Sequence, residues 1–142
     1  MAPDPAKSSS WRDPRVAIEN DQQVLDHFGR WPSFHDAEVR QLLLEAHPAN
    51  RTSSMRVELV TRSMTHIDAN VVLRFHGVED VDLGGFNHCN MLWEIQLRIA
   101  RPIASDAGDG AASIEVNMPT TYGLEGSFRC ARVVVESLTS VA

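Results

Sequence analysis

The sequence predicts a mainly β, α+β fold: an antiparallel sheet or two-layer sandwich of about six strands with one short N-terminal helix. Three observations lead there. Short stretches alternate apolar with polar residues, glycine, proline and asparagine punctuate them, and the strand and long-helix units that build a parallel βαβ sheet are missing. Length and composition agree, because 142 residues with 43% hydrophobic and 23% charged suit one globular domain. Such a chain typically buries about 68–70% of its unfolded surface, enough for a core without disulfides or metal.

Residues 1–12 carry Pro3, Pro5 and the Ser8–Ser10 run with little apolar content. They read as a disordered tail that cannot offset its ordering entropy, leaving 13–142 as a single β-rich domain. The opening stretch also lacks the apolar h-region of a secretory signal, so a reducing cytoplasm is expected. No apolar run approaches the roughly 20 residues of a membrane-spanning helix.

From Asn20 the pattern turns helical. Asn20 can cap, and Val24, Leu25 and Phe28 share one face before Gly29 and Pro32, which gives a short helix over Asp21 to Phe28. A start at Asp13, with Pro14 as first helical residue, would instead make Arg15 to Phe28 one longer helix.

The strands follow. Glu38 to Ala46 is rich in aliphatics, and after the loop His47 to Ser54, Met55, Val57 and Leu59 alternate with Arg56, Glu58 and Val60. Val71, Leu73 and Phe75 share a face opposite Arg74 and His76. Beyond Gly77, Val81 and Leu83 alternate with Asp80 and Asp82, as two strands or one bent strand. Gly84 and Gly85 release the chain into Phe86–Asn90, after which Leu92 to Arg98 gives the clearest strand. Ala104 to Ala112 reads as a mobile loop, and Ile114–Met118 and Phe128–Glu136 as the last two strands.

Thirteen Lys and Arg against nineteen Asp and Glu give a net charge of −6. That balance argues against a general nucleic-acid surface, which needs clustered cations, and fits a partner with a basic face or plain solubility. Cys89 and Cys130 form no CxxC pair and read as buried free thiols.

One segment concentrates information. Trp31-Pro32-Ser33-Phe34-His35-Asp36-Ala37-Glu38-Val39 places two aromatics, a proline, a histidine and an acid between helix and first strand. Pro32 pushes Trp31 toward extended geometry. A histidine side chain can serve as a proton acceptor or donor, and Asp36 can accept backbone N–H bonds, so His35 and Asp36 contain the raw material of a general base. In extended chain, however, neighbours point to opposite faces, so His35 would need an acid from elsewhere. The structural alternative has Trp31 and Phe34 plugging the sheet while His35 and Asp36 satisfy local backbone.

The run from Phe28 to Val39, with Phe75-His76-Gly77-Val78-Glu79-Asp80-Val81 and Phe86-Asn87-His88 further on, resembles the Immunity protein 50 family of bacterial toxin-immunity systems. The resemblance implies a β-rich protein, encoded beside a secreted toxin, that binds this toxin in the producing cell and blocks it. It supplies no catalytic residues to transfer.

Other constellations are weaker. Asp80-Val81-Asp82-Leu83-Gly84-Gly85 mimics the start of a calcium loop but has glycine at position five and Met91 at position twelve. His66, His76, His88 and Cys89 hold zinc-type donors at spacings that match no zinc template. Cys89 with His88 or His35 lacks the surroundings of an activated thiol. No cofactor or metal is therefore expected. The leading reading is a non-enzymatic immunity factor that covers a cognate toxin, with Glu79, Asp80, Asp82 and Trp93 as contacts and Trp31, Phe34, His35 and Asp36 as scaffold. Alternatives are a small hydrolase or isomerase using His35 with a carboxylate, and a small-ligand-binding module. An exposed edge strand would also let two copies pair as a homodimer.

Overall fold

The computed structural model describes residues 11–61, 69–100 and 113–140. The tail at residues 1–10 and the loop Ala104–Ala112 lie outside these. Trp11 and Arg12, grouped with the tail by composition, belong to the fold. The Leu97 N–H donates to the Trp11 carbonyl at 2.7 Å, and Asp13 N–H donates to the Leu97 carbonyl at 2.8 Å.

Backbone pairing divides the chain into β1 (Ile18–Glu19), α1 (Gln22–Phe28), β2 (Glu38–His47), β3 (Thr52–Val60), β4 (Ala69–His76), β5 (Glu79–Gly84), β6 (Met91–Leu92), β7 (Gln96–Ile99), β8 (Ile114–Met118), β9 (Thr120–Tyr122), β10 (Glu125–Cys130) and β11 (Arg132–Ser140). The fold is mainly β with one helix, as expected, but the strands outnumber the expected six. They form a seven-stranded sheet in the order β1-β11-β4-β3-β2-β6-β9 and a four-stranded sheet in the order β5-β10-β8-β7. Pairing is antiparallel except for β1, which runs parallel to β11 through Ile18↔Val133 and Glu19↔Val134.

The longer helix is excluded by that pairing, since Ile18 and Glu19 are extended. Asn20 does not cap α1. Its φ is 61° and its side-chain amide donates to the Val135 carbonyl at 2.8 Å, which ties the helix entry to β11. Gly29, at φ 80°, ends the helix by donating its N–H to Leu25.

Two stretches read as single strands are in fact divided. Phe128 to Glu136 breaks at Ala131, whose N–H donates to the His76 carbonyl, so β10 lies in one sheet and β11 in the other. Leu92 to Arg98 breaks because Trp93 N–H donates to Pro119 and Ile95 N–H to Ser33. Val71–Phe75 and Val81–Leu83 likewise fall in different sheets. The chain passes between the two sheets six times along the described strands, and two of these crossings, at Gly77 and Ala131, touch. A Cβ on Gly77, which sits at φ +67°, would lie 3.0 Å from the Ala131 Cβ, so a small residue is needed there.

The core lies between the sheets. Phe75 of β4 and Phe128 of β10 meet edge to face with ring centroids 4.9 Å apart, the geometry aromatic quadrupoles favour. Met55, Val57, Leu59, Leu73, Leu97, Val116, Met118, Val133 and Val135 surround them, all buried. The far face of the large sheet is charged. Arg56 and Arg74 reach Glu136 at 3.3 and 3.4 Å, and Arg74 also reaches Glu45 at 3.7 Å. No helix among the described residues is long and apolar enough to cross a membrane.

Burial alone pushes the Cys130 thiol from its ordinary 9.0 up to about 12, whereas Cys89 is only half-buried. The folded protein should therefore release one equivalent of thiol to a disulfide-exchange reagent at pH 8, from Cys89, and the second only on unfolding. The sign for stability follows. A thiol with a raised folded pKa favours the fold below pH 9, and that contribution is lost as pH climbs from about 9 toward 12 because only the unfolded chain ionises. A pH series of urea unfolding curves for wild type and Cys130→Ala checks this through a loss of slope in the variant.

Candidate functional site

The Trp31-to-Val39 segment forms a corner stitched to residues 92–95. Asp36 N–H donates to Leu92, Leu92 N–H to Ala37, and Ile95 N–H to Ser33, each at 2.9 Å. Trp31 and Phe34 are buried and pack edge to face at 5.5 Å. The Arg12 guanidinium lies 5.4 Å from the Trp31 ring, and the Trp11 indole N–H donates to the Trp31 carbonyl. Ser33 Oγ accepts the His35 N–H at 3.2 Å, closing a local turn.

The chain is not extended at this corner, so His35 and Asp36 do not point to opposite faces. Phe34 and Asp36 both sit at φ 64°, a left-handed conformation that is uncommon for any residue with a Cβ and rarer for a bulky one. The backbone turns sharply, and the adjacent His35 and Asp36 meet, with Nε2 3.5 Å from Oδ2. His35 Nδ1 lies 2.8 Å from the Trp93 carbonyl, so the tautomer that donates there leaves Nε2 toward Asp36. The His35 ring stands edge to face on Trp93 at 4.6 Å. Chemically this is a histidine with one nitrogen fixed by a carbonyl and the other beside a carboxylate. Both side chains are about half exposed, at 47% and 52%, so water reaches the pair.

The three acids are placed differently. Glu79, Asp80 and Asp82 lie on β5, a terminal strand of the four-stranded sheet. β5 carries a bulge, seen as the register slip between Ser127↔Asp82 and Arg129↔Glu79, with Asp80 at φ 52°. Arg129 sits opposite Glu79 and reaches Asp80 at 3.6 Å, so that end of the patch is partly neutralised. Asp82 is instead the start of a polar row running across all four strands through Ser127, Asn117 and Gln96. This row, with Glu125, Pro119 and Gly126, lines an open groove of about 560 Å³. Asn117 donates its amide to Glu115, which leaves its Oδ1 to accept. Trp93 is joined to the same groove through its N–H bond to Pro119.

Metal readings find no geometric support. Asp80 is turned to Arg129, and among the described residues no three of His, Cys, Asp and Glu are grouped to hold an ion. His76 is held below its ordinary value first by burial, then by the Arg132 and Arg74 cations. His66 lies outside the described residues.

Residues that sequence reasoning passed over form a second feature. One row of the large sheet runs Leu44↔Met55↔Phe75↔Val133↔Ile18. Four of these are buried to 6% exposure or less, yet Leu44 is 48% exposed. Its side chain belongs to the core-facing row, but there the second sheet no longer covers it. β2 pairs β6 only at Glu38↔Met91, so beyond Val39 one edge of β2 has no ladder partner among the described residues. Between β2 and β5 lies a cavity of about 230 Å³ lined by Leu42, Leu44, Leu83, Gly84, Phe86 and Leu124. The Leu42–Leu44 run and the phenylalanine after Gly84-Gly85 were the available signals.

Three aromatics stand half in water: Phe86, which lines this cavity, Trp93 and Tyr122, at 53%, 53% and 52%. They come from two segments, 86–93 and 119–124, bound to each other by Met91↔Tyr122 pairing and by Asn90, whose Oδ1 accepts the Leu124 N–H. Compared with known proteins, the chain matches no family model, no curated protein and no solved structure.

Proposed function

We propose that this chain is a non-catalytic binding protein of the toxin-immunity kind, which neutralises a cognate toxin by covering its surface within the producing cell. The observation that carries the reading is the group of half-exposed aromatics, Phe86, Trp93 and Tyr122, presented by two interlocked segments. Large aromatics on a fixed backbone lose little entropy on binding, and they dominate interface energies when water is expelled around them. The acids of β5 and the net charge of −6 would speed encounter with a basic surface. The resemblance of the Trp31-to-Val39 run to immunity proteins points the same way.

The test is coexpression with the product of a neighbouring toxin gene. Copurification and rescue of cells from the toxin are expected, with Phe86→Ser, Trp93→Ser and Tyr122→Ser each weakening the complex by about tenfold or more. Replacing Glu79, Asp80 and Asp82 by serine should slow association and flatten its salt dependence. Unchanged affinity and salt response in that triple variant would remove the acids from the contact surface. The His35 and Asp36 pair motivates the competing hydrolase reading. A folded His35→Ala protein that loses a measured turnover would overturn the binding reading.

A further inference from the structure

We infer that the outer edge of β5 is a docking site for an extended protein segment that alternates basic with apolar side chains. The inference rests on the protein-binding reading and names the chemistry of the partner. β5 is a terminal strand, so among the described residues nothing pairs with the backbone groups on its side away from β10, and they offer an edge to a further strand. Its regular stretch pairs Asp82, Leu83 and Gly84 with Ser127, Gly126 and Glu125.

The two faces of that stretch differ. On one face Asp82 and Glu125, with the acceptors of Ser127, Asn117 and Gln96, line the 560 Å³ groove, and no lysine or arginine is among its lining residues. On the other face Leu83 joins Leu42, Leu44, Phe86 and Leu124 around the 230 Å³ apolar cavity. Leu83 and Gly84 line both, so the two hollows adjoin the same strand.

Side chains of an added strand alternate between faces with period two. One set would enter the acceptor-rich groove, where a guanidinium or ammonium finds carboxylates and amide oxygens. The other set would fall on the core-facing side, over the apolar cavity lined by Leu42, Leu44 and Leu83. Charge also selects against a second copy of this chain, because β5 paired with itself would set Glu79, Asp80 and Asp82 against the same acids. The bulge at Asp80 further limits self-pairing to the short stretch after it.

The experiment uses the full chain, labelled with ¹⁵N, and a synthetic peptide alternating arginine with valine. Controls are a peptide of equal composition with the arginines grouped at one end and one alternating glutamate with valine. Saturable shifts of the Asp82, Leu83, Gly84, Leu44 and Phe86 amides are expected with the first peptide. Affinity should fall about tenfold for Asp82→Asn combined with Glu125→Gln, and for Leu44→Ser, both at exposed or half-exposed positions chosen to spare the fold. Equal binding of the grouped peptide, shifts elsewhere, or β5 amides already slow to exchange in the free protein would overturn the inference. Undiminished toxin binding by the Leu44→Ser, Asp82→Asn variant would overturn it while leaving the protein-binding reading intact. Absence of any bound toxin alongside peptide shifts at β5 would do the reverse.

Discussion

Phe128→Ala should lower the stability of the folded chain by about 3–5 kcal/mol, the range for deleting a buried phenylalanine. Phe128 and Phe75 are each exposed by 1% or less, and they are the aromatic contact between the two sheets. Removing one ring leaves a cavity flanked on both sides by strands that cannot approach, because each is held by its own ladder. Phe75→Ala should cost a similar amount, and the double variant less than the sum, since the edge-to-face contact is lost only once. Urea unfolding at 25 °C measures this as a lower midpoint at unchanged slope. For a domain this size the melting temperature should drop by about 10–17 °C. A loss below about 1 kcal/mol would mean that the sheets are not packed through this pair.

Asn90→Ala should destabilise by about 2–3 kcal/mol, out of proportion to the few atoms removed. Asn90 is buried. Its Oδ1 accepts the N–H groups of Asn87 and Leu124 at 2.9 and 3.1 Å, and its Nδ2 donates to the Asn87 carbonyl at 2.8 Å. The Leu124 N–H would be left buried without a partner. Nothing larger can rescue the site from the other side: Gly123 sits at φ +84°, and a Cβ there would run into the Cys89 carbonyl. Because Asn90 fastens segment 86–93 to segment 119–124, the effect should reach function as well. Hydrogen exchange at Asn87 and Leu124 should accelerate more than at Leu73 or Val116, and, on the proposed binding role, affinity for the partner should fall even at temperatures where the variant stays folded.

The fold was legible where one residue pattern decided one element. Met55, Val57 and Leu59 alternate cleanly and form β3, and Gly29 ends the helix as expected. What escaped were the changes of sheet that interrupt a β-prone run, whereas the breaks at Gly77 and Gly84-Gly85 were legible. Cys130, Ala131 and Arg132 continue a β-prone run, and only the capture of the Ala131 N–H by His76 divides it. The strand expected over Leu92 to Arg98 is broken in the same way by carbonyls of Pro119 and Ser33, which lie far off in sequence. The meeting of His35 with Asp36 depends on left-handed backbone at Phe34 and Asp36, which no propensity of phenylalanine announces. The opening at Leu44 depends on the β2 bulge between Val39 and Gln41. That one extra residue turns Leu42 and Leu44, rather than Leu43, toward the interior.

The two ends of the small sheet are guarded by unlike means. Residues 11–13 lie along β7, with Arg12 bridged to Leu97, so that end is occupied by the chain itself, whereas β5 is guarded by its carboxylates and its bulge. Acid or concentrated salt would weaken the second guard and leave the first in place. A sheet with one blocked end and one receptive end can join a twin but has nowhere to add a third. Edge-to-edge association of this sheet therefore terminates at pairs, and the N-terminal strap is the stop against its further extension.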